Sequence, residues 1–237
     1  RVAGEVEHLL ARYKPDQLWY ADDVFTIKQS WFFEYAAELK RRSIRTPFEC
    51  ISRADRLNEQ VIDTLAEMGC YRLWIGSESG SQKVLDEMRR EVKVEQVQAM
   101  VHALKRRGIQ TGMFIMLGYE GEAIEDLEAT VDHLKKSAPD VFLTTVAYPI
   151  KGTAYYGKVE DRVLARAGWD RRTDRDLTVR GRHSKRFYSF ATRWMVNSVT
   201  LHREPRNGIN AVRLAKAAAS VALGRMGMML TAREREA

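Results

Sequence analysis

Residues Leu73-Trp74-Ile75-Gly76-Ser77-Glu78-Ser79-Gly80-Ser81 run from apolar strand formers straight into glycines and small hydroxyls that enclose one acid. A buried parallel strand has this composition when its carboxyl end opens onto a ligand. Glycines let backbone approach a bound molecule, and a carboxylate there can accept two hydrogen bonds from a diol or an ammonium. Four further apolar runs surround this one in sequence, each next to a segment of helical period. They are residues 17–21, 47–51, 110–117 and 141–146, and the strand that leads into the glycines is expected over Tyr71–Ile75. Strand, loop and helix repeating with connections of ordinary length predict a parallel sheet with right-handed crossovers.

The intervening helices are expected over Val2–Tyr13, Trp31–Arg42 (capped by Ser30), a segment through Val61, Ile62, Leu65 and Met68 that closes at Gly69, and Gln82–Met88. Two more follow: Val94–Arg107, and a segment through Leu127, Val131 and Leu134. The alternation stops beyond Gly157. Residues 162–186 read as charged and irregular, followed by helices over Ser184–His202 and Ile209–Leu230. The expected division is an α/β domain over residues 1–157 and a basic helical extension over 158–237.

In α/β barrels the working residues follow the carboxyl ends of the strands. Here those positions hold Asp22-Asp23, Ser52-Arg53-Ala54-Asp55, Gly76-Ser77-Glu78-Ser79, Leu117-Gly118-Tyr119-Glu120-Gly121-Glu122 and Pro149-Ile150-Lys151-Gly152-Thr153. An arginine binds a carboxylate in bidentate fashion, one acid holds an ammonium, and another holds a ribose diol. A ligand with all three groups is an amino-acid-bearing nucleoside. The bland readings are an Asx turn or helix cap at Asp22-Asp23 and a surface ion pair between Arg53 and Asp55.

At 237 residues the chain is long enough for a full core. Its net charge of +7 is unevenly placed: residues 158–237 hold 18 Lys and Arg against 8 Asp and Glu, and residues 1–157 hold 21 against 24. A basic tail suits an anionic partner or a docking face. Two cysteines, Cys50 and Cys70, give no disulfide framework, so a reducing cytoplasm is expected, and their apolar surroundings make them structural. The five histidines have no metal-ligand spacing, and no metal site is expected from them. Neither a signal peptide nor a membrane-spanning run is visible.

Taken in order, the strand-end motifs resemble those of the radical S-adenosylmethionine (SAM) superfamily, in the branch that carries a cobalamin-binding domain. The resemblance covers Val2 to about Tyr156. Trp19-Tyr20-Ala21-Asp22-Asp23-Val24-Phe25 is similar to the end of that family's second barrel strand, and Cys50-Ile51-Ser52-Arg53-Ala54-Asp55 to its third. Met68-Gly69-Cys70 with 73–81 resembles the fourth, Phe114-Ile115-Met116-Leu117-Gly118 with Gly121-Glu122 the fifth, and Pro149 with Gly152-Thr153 and Tyr155-Tyr156 the sixth. The implied fold is a partial (β/α)6 TIM-like barrel without its first strand, followed by a C-terminal helical extension. The implied cofactors are SAM, a 4Fe-4S cluster and cobalamin. The implied activity is reductive SAM cleavage with radical or cobalamin-assisted methyl-transfer chemistry, driven by an external electron donor. By position, Asp22 or Asp23 would meet the methionyl amino group, Arg53 its carboxylate, Glu78 the ribose with Ser77 beside it, and the backbone at Leu117 and Gly118 the adenine.

The chain departs from the family at two points. It has no Cys-x3-Cys-x2-Cys loop to ligate the cluster, and Glu120 stands where the family has proline. The expectation is therefore a C-terminal fragment, inactive alone, whose missing N-terminal region supplies the cluster ligands and any cobalamin domain. Its substrate, a small molecule or peptide, is not legible. A second reading treats the α/β part as a non-catalytic scaffold whose basic segment Arg171–Arg193 binds nucleic acid or an anionic partner. In that reading Phe187, Tyr188 and Phe190 serve as stacking platforms. The competing expectation is that these aromatics pack the tail, with no nucleic acid bound.

Overall fold

The computed structural model describes residues 1–165, 173–203 and 210–237. It divides into two compact units: residues 1–115 with 136–143, and residues 116–135 with 144–237.

The first unit is built on a parallel sheet. Strands β1 (Leu18–Tyr20), β2 (Phe48–Ser52), β3 (Cys70–Glu78), β4 (Gln110–Leu117) and β5 (Val141–Val146) lie side by side in sequence order. Parallel neighbours need crossovers, and helices supply them. In the first unit they are α2 (Gln29–Arg41), α3 (Glu59–Met68), α4 (Gln82–Glu87) and α5 (Val94–Arg106), while α1 (Val2–Tyr13) precedes β1. The molecule is thus an α/β protein with a five-stranded parallel sheet, and no closed barrel forms among the described residues.

One sheet face is fully covered. Cys50, Ser52, Leu73, Ile75, Ser77 and Met113 are all completely buried, as the period-two alternation of a strand requires. Against this face α3 contributes Val61, Ile62 and Leu65, each wholly inaccessible. That helix is well defined at both ends. The Asn58 side chain accepts from the Val61 amide at 2.9 Å, and Gly69 ends the helix in the left-handed conformation at φ 99°. The other face is more open: Trp74 stacks on Phe114 with centroids 4.9 Å apart, while Trp19 and Leu143 are about half exposed.

Two local expectations are corrected. Ser30 does not cap α2; the helix starts at Gln29 behind an extended Lys28. The Phe32 amide bonds to the Lys28 carbonyl, so the first turn closes before Ser30 is reached. Strand β3 also runs on to Glu78 instead of stopping at Ile75. Gly76 pairs with Phe114 and Glu78 with Ile115, the register slipping between them. A bulge of this kind bends a strand and re-aims a side chain.

The second unit contains α6 (Ile124–Ser137, up to residue 135), α7 (Ala154–Val159), α8 (Lys185–Arg203) and α9 (Ala211–Thr231). It also holds an antiparallel pair absent from the sequence reading, β6 (Val163–Ala165) and β7 (Leu177–Val179). Ile209, expected to open the last helix, lies outside the described residues, as do Arg171 and Arg172.

The last helix packs on α8. A side chain at Gly224 would come within 2.8 Å of the Trp194 backbone, and one at Gly227 would overlap the Phe190 ring. The Arg225 guanidinium lies 4.5 Å over the Trp194 ring and pairs with Glu128. Phe187 and Tyr188 are buried, and Phe190 abuts α9, so these three rings pack the extension and do not stand free as stacking platforms. Gly227→Leu is expected to separate the helices at a cost of about 1–3 kcal/mol, read as a lower midpoint in thermal unfolding; an unchanged midpoint would contradict the close packing. No described helix is long and apolar enough to cross a membrane.

Candidate functional site

The carboxyl edge of β2 and β3 carries a charged cluster of Arg53, Asp55, Glu78 and Arg90. Glu78 sits at φ 60°, left-handed backbone that a non-glycine residue seldom adopts. Such outliers persist where the surrounding structure over-determines them, and they concentrate at ligand sites. The turn is fixed behind it: the Ser79 amide bonds to the Ser77 carbonyl at 2.7 Å, and the Ser81 amide to Ser79 Oγ at 3.1 Å. Ser81 then caps α4 through the Val84 amide.

Glu78 is largely buried, and burial raises its carboxyl pKa above the ordinary range although the Arg90 charge pulls the other way. Arg90 Nη2 lies 3.3 Å from Glu78 Oε1 and donates to the Gly76 carbonyl at 3.1 Å. A Cβ at Gly76 would sit 3.0 Å from both side chains, so glycine is what lets them meet over the strand. Arg90 Nε is buried without a partner.

The network continues to Arg53, which donates to the Arg90 carbonyl at 3.0 Å and grips Asp55 with two bonds at 2.7 and 3.2 Å. Burial would raise the Asp55 carboxyl pKa, but Arg53 and Arg56 outweigh it and hold it below its ordinary value. The ion pair considered for Arg53 and Asp55 is therefore present, and it is joined to Glu78 through Arg90. Arg90 was not legible as a site residue. Its place depends on left-handed turns at Arg89 (φ 54°) and Glu91 (φ 53°) that bring the α4–α5 connection back over the strand end.

Asp22 and Asp23 are exposed in the loop after β1. That loop is anchored just beyond them: the Phe25 amide bonds to the Ile51 carbonyl at 2.8 Å, and Thr26 Oγ1 meets Ser52 Oγ at 2.6 Å. The anchoring holds both aspartates by the end of β2, but no hydrogen bond joins them to the Arg53–Arg90–Glu78 network. Ser77 is fully buried, on the covered face of β3.

In the second unit, Leu117 is buried and its carbonyl accepts from the Ala147 amide at 2.7 Å. Gly118 follows at φ 75°, its amide bonded to Glu122 Oε2 at 2.6 Å, and a Cβ there would strike the Tyr188 ring at 2.7 Å. Glycine is required at this position on both counts. Glu120, in the place of the family's proline, pairs with Arg162 at 3.2 Å.

Cluster ligation does not fit these residues. Cys50 and Cys70 are buried on neighbouring strands, and burial, with Cys70 beside it, pushes the Cys50 thiol well above its ordinary pKa. A cluster needs accessible thiolates, and three of them when SAM takes the fourth iron. No group of three or more His, Cys, Asp or Glu is placed to hold a metal ion among the described residues.

The chain resembles known proteins in the same terms. The family model of the radical SAM superfamily matches residues 4–134. An uncharacterized methyltransferase of Pyrococcus horikoshii, PH0819, is 25% identical over 77% of this chain and 40% of its own. The anaerobic magnesium-protoporphyrin IX monomethyl ester cyclase of Rubrivivax gelatinosus is 25% identical over 69% of this chain and 30% of its own. The chain thus spans less than half the length of either relative. The fold matches the structure of the cobalamin-dependent SAM radical enzyme OxsB with aqua-cobalamin bound, at a TM-score of 0.61 and 13% identity, covering 97% of this chain and 42% of that one. It also matches the radical SAM methyltransferase TsrM of Kitasatospora setae with tryptophan and a SAM analogue bound, at a TM-score of 0.59 and 19% identity, covering 70% of this chain and 35% of that one. With a family model matching more than half of its residues, this chain belongs to the radical SAM superfamily.

Proposed function

We propose that this chain is the SAM-binding, C-terminal part of a cytoplasmic radical SAM enzyme of the cobalamin-associated branch, acting in methyl transfer or a related radical reaction. The observation that carries the reading is Glu78: a largely buried carboxyl group on left-handed backbone, at the bulged end of a parallel strand, with glycine beneath it. A vicinal diol suits it, because two hydroxyls donate to one carboxylate without adding charge. Arg53 would hold the methionyl carboxylate by the part of its guanidinium not engaged by Asp55 and Arg90, and the exposed Asp22 or Asp23 the amino group. SAM, when bound, supplies a methyl or adenosyl group; these residues bind it, orient it and keep water from its ribose.

The cluster ligands, and any cobalamin domain, belong in this proposal to parts of the protein outside these 237 residues. Anaerobic reconstitution of the 237-residue chain, followed by iron and sulfide analysis, tests that division. Iron far below one four-iron cluster per chain is expected, because both cysteines are buried and a third ligand is lacking. Near-stoichiometric occupancy would overturn the fragment reading.

A further inference from the structure

The last helix, α9, is apolar on two sides, and docking on α8 uses only one of them. Ala217, Gly224, Gly227, Met228 and Thr231 are buried. The opposite side carries Val212, Leu223, Met226, Met229 and Leu230, all between 44% and 78% exposed. Positions 212, 219 and 226 lie two turns apart, as do 223 and 230, and exposed alanines at 215, 219 and 222 fill the spaces between. The result is one continuous apolar strip along a 21-residue helix, about 30 Å long. A helix that is apolar all round is ordinarily enclosed. Single exposed leucines are normal on a protein surface, but a contiguous strip marks a contact surface.

The charges around the strip select its partner. Neither α8 nor α9 contains an Asp or Glu, while together they carry seven Lys and Arg. Arg225 is committed to Glu128, and Arg186 to Glu234. Exposed Arg213 and Lys216 stand at the start of the strip, and exposed Arg233 just beyond its end. The nearby acids are engaged elsewhere: Glu234 also accepts from Ser184 Oγ at 3.0 Å, and Glu236 from the Lys185 amide at 2.8 Å. A second copy docked strip to strip would set cation against cation, whether the two helices ran parallel or antiparallel, and that is unfavourable. A bilayer with anionic headgroups satisfies both features at once. Leucine and flexible methionine side chains enter the acyl boundary, and the flanking cations meet the headgroups. The helix would lie in the plane of such a surface, since no described helix is long and apolar enough to cross it.

We infer that the outward side of α9 docks this protein on a membrane surface rich in anionic lipid. The inference is independent of the SAM-binding reading, because every residue it uses lies in the helical extension.

The test is co-sedimentation of the 237-residue chain with vesicles of phosphatidylcholine alone and of phosphatidylcholine mixed with phosphatidylglycerol. Saturable binding to the mixed vesicles is expected, about tenfold or more tighter than to the neutral ones. Met226→Gln, Met229→Gln and Leu230→Gln combined keep every cation and replace only exposed side chains. Their thermal midpoint should stay level while binding to mixed vesicles falls about tenfold or more. Lys216→Gln with Arg233→Gln keeps the strip and should lose most of the preference for mixed vesicles. No binding to mixed vesicles, equal binding to both kinds, or a double variant with the parent's preference overturns the assignment. A triple variant that binds like the parent does so too, and so does one with a clearly lower midpoint, which would mean that the strip is already covered. A lipid-free dimer, seen by sedimentation velocity and abolished in the triple variant, would give the strip to a second copy instead. Vesicle binding that this chain shows and a longer protein carrying the cluster-ligating region lacks would give it to the remainder of that protein, and would likewise overturn the membrane.

Discussion

Glu49→Ala is expected to destabilise the first unit by about 3–5 kcal/mol, the cost of breaking a buried, hydrogen-bonded charge pair on one side. Glu49 is 7% exposed, the second residue of β2, and takes three donors. Trp74 Nε1 reaches Oε2 at 2.7 Å; the Tyr71 hydroxyl and Arg72 Nη1 reach Oε1 at 2.8 and 3.3 Å. Alanine would strand the indole N–H away from water and release the ring that stacks on Phe114. Arg72 is a quarter exposed and bonded to Gln110, so it recovers solvent, which places the expected cost toward the lower end of that range. Glu49→Gln keeps an acceptor and should lose distinctly less. Urea unfolding of both variants checks this, and equal losses would show that charge, not acceptor count, is what the site needs.

Glu78→Gln should behave in the opposite way. The raised carboxyl pKa means that the folded chain holds the proton more tightly than the unfolded one. The stability contributed by Glu78 is therefore complete below the unfolded value near 4.5 and is lost as pH rises through the folded value. Glutamine removes that loss. Parent and variant are expected to unfold at the same midpoint below pH 4.5, with the variant more stable toward neutral pH, despite the lost pairing with Arg90. A variant that is less stable at neutral pH would mean that the ion pair outweighs burial, and Glu78 would then be structural. A carboxylate that costs the free protein stability is what a ligand-binding acid looks like before its ligand arrives.

Much of this was legible because strands and their ends write themselves locally. Apolar runs at residues 47–51, 71–75 and 110–117, with glycine or hydroxyls directly after, are enough to place the sheet and its carboxyl edge. What escaped the sequence depends on longer-range or conformational facts. The extension of β3 to Glu78 rests on pairing with Ile115 through a bulge. The engagement of Arg90 rests on two left-handed residues that carry no glycine signal. Strands β6 and β7 are three residues each, too short for periodicity to emerge, and exist only as a pair. The aromatic and basic residues of α8 fit either a stacking surface or a packed helix in sequence. Gly224 and Gly227 on the following helix decide for packing.

The central claim, that the Glu78 edge holds SAM, is tested most directly by equilibrium binding of SAM to the 237-residue chain and to Glu78→Ala. Saturable binding to the parent is expected, with an affinity about tenfold to a hundredfold weaker in the variant, because the ribose hydroxyls lose a charged acceptor. The thermal midpoint of Glu78→Ala should stay near the parent's, so that the loss is read as lost recognition and not as unfolding. Equal affinities in parent and variant, or no binding to the parent, would contradict the account.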